Sequence, residues 1–116
     1  MKDKRITVVH KHPGKEPKLV VVDNELHALQ TLVDGYIEIG AYISKGLGDA
    51  LVIVCDEEGK LKGKEPNILV DHGLWMDYMV GPVFGAKISE EDFVDLTAEE
   101  AEYLMSWLSE YEVEKV

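Results

Sequence analysis

The chain has 116 residues, a formal net charge of −11, 46% hydrophobic residues and 30% charged residues. That is the length of one domain and the composition of a folded globular protein rather than a disordered one. The surplus acidity argues against a nucleic-acid coat, whose phosphate contacts need Lys and Arg, and the longest apolar run, Ala50 to Cys55, is too short to cross a bilayer.

The first 18 residues lean basic, with Lys2, Lys4, Arg5, Lys11, Lys15 and Lys18 against Asp3 and Glu16. Arg5–Lys11 reads as a strand rich in β-branched residues. Pro13-Gly14-Lys15 turns the chain, and Lys18–Val22 returns as a second strand, so residues 1–22 form a hairpin. Asp23 or Asn24 caps a helix that Gly35 ends, with Leu26, Leu29, Leu32 and Val33 on its apolar face. Residues 36–88 form a sheet with an irregular middle. Tyr36–Ile43 is a strand, Leu47-Gly48-Asp49 a loop, and Ala50–Cys55 a fully apolar, central strand. Asp56 to Lys60 turns the chain back. Lys62 to Asn67 is neither helix nor central strand, given its Gly and Pro. Leu74–Val80 and Val83–Ile88 are extended, broken at Gly81-Pro82. Thr97-Ala98-Glu99-Glu100 fits a capping box, opening an acidic helix over 97–112. Its stripe is Ala101, Leu104, Met105 and Leu108, with Tyr103 and Trp107 on the flank. The order predicts a single α+β domain, with a largely antiparallel sheet and two main helices packed on it.

Charge is uneven along the chain. Residues 88–116 hold 10 acids and one base, a net of −9, against a net of −2 over residues 1–87. The molecule is expected to be an electric dipole.

Signatures of catalysis are missing. A phosphate loop fails at Glu58 and Glu65, and no nucleophile elbow or zinc-type cysteine pair occurs. Cys55 and His10 are a formal nucleophile and base, but a small buried thiol explains Cys55 better. His10 and His12 share one side of a strand and could reach a metal, with Asp71 or His72 as a third ligand; two exposed histidines beside a turn is the plainer reading. Asp56, Glu57 and Glu58 are carboxylates expected to be solvated at a turn. A hydrolase built on them or on Asp71-His72 would need a divalent metal. No enzyme activity, cofactor or metal site is expected.

Two binding readings remain. On an extended segment, Lys60, Lys62 and Lys64 would line one side, with Gly59, Gly63 and Asn67 shaping an anion-binding nest for a nucleotide-like, phosphate-bearing ligand. The alternative for Asn67 is a turn brace. In the other reading, Glu99, Glu102 and Glu110, with Tyr103 and Trp107 as anchors, present an acidic face to a protein partner. Acids at a helix start also favour the helix dipole, and a solvated face keeps a protein soluble. Trp75 and Tyr78 suit contact or core equally. Neither direct nucleic-acid binding nor membrane binding is expected, and a homo-oligomer is common for small chains. A lone Cys55 and the lack of a secretion leader point to the cytoplasm.

Three segments carry a family likeness: Leu29-Gln30-Thr31-Leu32-Val33-Asp34-Gly35-Tyr36-Ile37-Glu38, then Glu57-Glu58-Gly59-Lys60-Leu61 with Pro66-Asn67, then Val80-Gly81-Pro82. In that order the chain resembles the small bacterial and phage domain of unknown function 3846, from about Val20 to Leu104. It departs in having Asp34-Gly35 where the family often has Gly-Gly, and in the lysine-rich run from Lys60 to Lys64. The resemblance implies no established chemistry. It implies a phage or mobile-element setting, where small accessory proteins often bind host or defence factors. The expectation is a non-enzymatic accessory or counter-defence protein that binds a host protein.

Overall fold

The computed structural model describes residues 3–45, 48–71 and 73–113. Expectations resting on Lys2, Leu47, His72, Glu114 and Lys115 lie outside them.

Eight strands and two helices follow in the order β1 (Arg5–Lys11), β2 (Lys18–Asp23), α1 (Leu26–Val33), β3 (Ile37–Lys45), β4 (Asp49–Asp56), β5 (Pro66–Asp71), β6 (Met76–Val80), β7 (Val83–Ser89), β8 (Asp92–Val94) and α2 (Ala98–Glu110). The main sheet runs β2-β1-β7-β4-β3, with β8 added against β7, and β5 and β6 form a separate two-stranded sheet. Every pairing is antiparallel. The fold is α+β, as the element order predicts.

The apolar run in β4 follows from burial on both faces. Val52 and Val54 join Ile6, Val8, Phe84 and Ala86 beneath Leu29 and Val33 of α1. Leu51 and Ile53 point the other way, into a layer with Val9, Val83, Ile68 and Met79, closed by Ala101, Leu104 and Leu108 of α2. A strand with one wet face would alternate; this one does not, because helix covers one side and helix plus hairpin the other.

Several boundaries differ from expectation. The α1 N-cap is Glu25, whose carboxylate accepts from the Ala28 N–H, rather than Asp23 or Asn24. Asn24 is buried and donates instead to the Asp3 and Phe93 carbonyls. Leu26 sits on the solvent side of the first turn, 58% exposed. Pro66 and Asn67 open β5, a position where proline's missing N–H is tolerated. β8 has no sequence signature, because its three residues are too few for a pattern. The α2 capping box is formed in both halves, between Thr97 and Glu100. No helix among the described residues is long and apolar enough to cross a membrane.

Candidate functional site

The segments that carry the family likeness are far apart in sequence and meet at one end of the sheet. Two turns of the same kind face each other there. At the end of α1, the Gly35 N–H donates to Gln30 O and the Asp34 N–H to Thr31 O, with Asp34 left-handed at φ 54°. In the loop after β4, the Lys64 N–H donates to Gly59 O and the Gly63 N–H to Lys60 O, with Gly63 at φ 70°. Both are the Schellman closure, which needs one residue in the left-handed region. Gly63 adopts it freely, whereas Asp34 does so at a steric cost that short polar residues tolerate best.

Asp56 lies between the two turns, its carboxylate fully buried. It takes Lys62 Nζ at 2.8 Å, Lys64 Nζ at 2.7 Å and the Glu58 N–H at 2.9 Å. Burial alone would raise its pKa; the Lys62 and Lys64 ammoniums and the Glu58 amide outweigh burial and hold it down to about 2. Lys64 Nζ also donates to Val33 O at 2.9 Å and Asp34 O at 2.7 Å. It therefore serves the carbonyl end of α1, a helix with no basic residue in its own last turn. Gly35 has to be glycine here, since a Cβ would stand 2.3 Å from Asp56 Cγ.

This arrangement corrects the picture of three free ammoniums along an extended segment. Residues 57–63 are turn, not strand. Lys62 and Lys64 close on Asp56, and Lys60 pairs with Asp77. Gly59 is packed against Val80 rather than open for a ligand. The solvated-turn reading holds for Glu57 and Glu58, which are exposed, and fails for Asp56.

Asn67 is a brace, of a longer reach than a turn. Its amide donates to Lys11 O and Gly81 O, both at 2.9 Å, and its oxygen accepts from Lys11 Nζ at 2.6 Å. The Gly81 N–H returns to Glu65 O. The Pro-Asn and Gly-Pro pieces of the family pattern are thus two sides of one joint. Lys11, one of the bases of the N-terminal segment, is buried there.

On the face of the sheet opposite α1, α2 turns its acids outward. Glu99, Glu102 and Glu110 are exposed, and Tyr103 is 49% exposed. None of these carboxylates has a cation partner among the described residues. Lys87 nearby binds Glu100 at 3.1 Å. Trp107 is less available than expected: it packs on the core and its ring lies 4.6 Å from that of Tyr111.

The remaining candidates are weaker. His10 and His12 rings touch at 4.7 Å, but His10 Nε2 is taken by Leu32 O at 2.6 Å. No group of three or more metal-ligating side chains exists among the described residues. The Cys55 thiol is pushed up to about 11 by burial and then by the Glu38 and Asp56 carboxylates, the reverse of an activated nucleophile. Trp75 and Tyr78 are surface residues, 57% and 49% exposed.

The fold and its motif-bearing joint define a small α+β domain stabilised by two buried polar knots. The chain matches the family described as domain of unknown function DUF3846 over residues 6–109, and it belongs to that family. Neither the curated proteins nor the solved structures contain a significant match.

Proposed function

We propose that this is a non-enzymatic binding protein whose α2 face, formed by Glu99, Glu102, Tyr103 and Glu110, takes a basic protein partner. The observation that carries the reading is a separation of charge. Lys11, Lys60, Lys62, Lys64 and Lys87 are each paired with a carboxylate, while the outward acids of α2 have no cation partner among the described residues. Such a face speeds encounter with a cationic surface and favours it over other partners. Tyr103 supplies the amphipathic area that anchors contacts of this kind. The setting implied by the family makes a host protein the partner, with the domain acting as an accessory of a phage or mobile element. The phosphate-ligand reading draws no comparable support, since an anion would have to displace Asp56 and Asp77 from the lysines.

The test is native mass spectrometry on protein purified from bacterial lysate at low salt, beside the triple variant Glu99→Lys/Glu102→Lys/Glu110→Lys. The expected result is a stoichiometric host protein that high salt releases and the variant does not capture. Equal capture by the variant overturns the reading.

A further inference from the structure

A cavity of about 300 Å³ opens between the β3–β4 edge and the β5–β6 hairpin. Its volume is at the small end of ligand-sized sites. Gly40, Val70 and Met79 line it with apolar surface, and the half-exposed Trp75 and Tyr78 line it with aromatic surface. Glu38 and Glu57 lie in the same lining. Both are exposed, and neither has a cation partner among the described residues. The lysine of the lining, Lys60, is bound to Asp77. Asp56, also in the lining, is neutralised by Lys62 and Lys64, which are not.

We propose that this cavity binds a small organic cation, an alkylammonium or guanidinium ion with a short apolar body. Three features converge on that chemistry. Aromatic faces attract a cation through the ring quadrupole, Trp most strongly. Two carboxylates with no cation partner among the described residues set a negative potential where field lines concentrate in a concave site. The apolar lining takes the alkyl part. A phosphate-bearing molecule meets the wrong sign of charge here, although the cavity adjoins the lysine-rich loop. The inference does not rest on the α2 reading, because none of the cavity residues belongs to α2.

The experiment is isothermal titration of the whole protein with choline, tetramethylammonium and agmatine. The neutral isostere 3,3-dimethylbutanol is the control for charge. Trp75→Leu and Glu38→Gln are exposed substitutions, and circular dichroism checks that they fold. Saturable binding of at least one cation is expected, with no comparable binding of the alcohol. Each substitution is expected to weaken it about fivefold or more. The proposal is overturned by equal binding of the alcohol, by undiminished binding in both folded variants, or by no saturable response to any of the three cations. An arginine-rich or methyl-lysine peptide that binds where the free ions do not also overturns it, and assigns the cavity to a partner's side chain.

Discussion

The Lys11 ammonium, on a side chain 1% exposed, lies 2.6 Å from Asn67 Oδ1, and the Asn67 amide returns a hydrogen bond to Lys11 O at 2.9 Å. Glu112 adds a carboxylate at 3.1 Å. This exchange ties β1 to β5 and to the segment after α2. Asn67→Leu removes both donors and the acceptor, leaving a buried ammonium with the half-exposed Glu112 and the His12 carbonyl at 3.4 Å. A loss of about 3 kcal/mol is expected, as for other buried charges deprived of a partner. Glu112→Gln, at a 40% exposed side chain, should cost under about 1 kcal/mol. Urea unfolding of both variants checks the ranking. Equal costs would mean that Glu112 holds the lysine as strongly as Asn67 does.

Asp56 makes stability depend on acid. Its folded pKa is held down to about 2, below the ordinary carboxylate range. A depressed folded value contributes stability that is fully present above the unfolded pKa, near 4, and fades as pH falls toward 2. Thermal melts between pH 6 and pH 2 should show this limb in the native protein. Asp56→Asn should flatten it, and should cost on the order of 3 kcal/mol at neutral pH by leaving Lys64 without its buried anion.

The parts of the fold legible in the sequence are those with strong local signals. Thr97 and Glu100 mark the start of α2, Gly81-Pro82 separates β6 from β7, and the unbroken apolar run of β4 announces a strand covered on both faces. What escaped is tertiary. Nothing local says that Lys62 and Lys64 fold back on Asp56, because alternating Lys and Gly look the same whether extended or curled. The signal was present in Gly63, two glycine-bearing turns being placed either side of a carboxylate. Lys11 looked like one more base of the N-terminal hairpin, yet its neighbours Val9 and Val83 face the same core. Of the candidate site residues, Glu99, Glu102, Glu110 and Tyr103 stand where the helical pattern put them, while Trp107 turned toward Tyr111.

Asp34 stands in the left-handed region at φ 54°, where glycine is the unstrained residue. Asp34→Gly relieves the backbone and loses only a 3.8 Å ion pair to Lys64 from an 88% exposed side chain. A gain of about 0.5 kcal/mol is expected. Gly35→Ala is the opposite case. Its Cβ has no room beside the Asp56 carboxyl, and Asp56 cannot move without releasing both lysines. Calorimetry should show a raised melting temperature for the first variant and a strongly lowered one for the second.

Cys55 should be a slow thiol. With its pKa pushed up to about 11, the thiolate is about one part in a thousand at pH 8. Alkylation by iodoacetamide should be sluggish at that pH and accelerate steadily to pH 11. Glu38→Gln should make it faster at pH 8, because one of the carboxylates that opposes the thiolate is gone. An unchanged rate in that variant would remove Glu38 from the causes and leave burial and the Asp56 carboxylate.

Stability and recognition on α2 should separate by position. Glu99 lies in the first turn, where a carboxylate favours the helix dipole, so Glu99→Lys should cost up to about 1 kcal/mol apart from any partner. Thr97→Ala removes half of the capping box and should cost about 1 kcal/mol without touching the acidic face. Glu102 is mid-helix and Glu110 is the last helical residue, where a cation suits the dipole. Glu102→Lys/Glu110→Lys should therefore melt at or slightly above the native temperature while losing the salt-sensitive partner. Thr97→Ala should melt lower and keep the partner at temperatures where it remains folded. If both variants lose the partner in proportion to their stability, the helix matters only as a folded element, and its acids serve solubility.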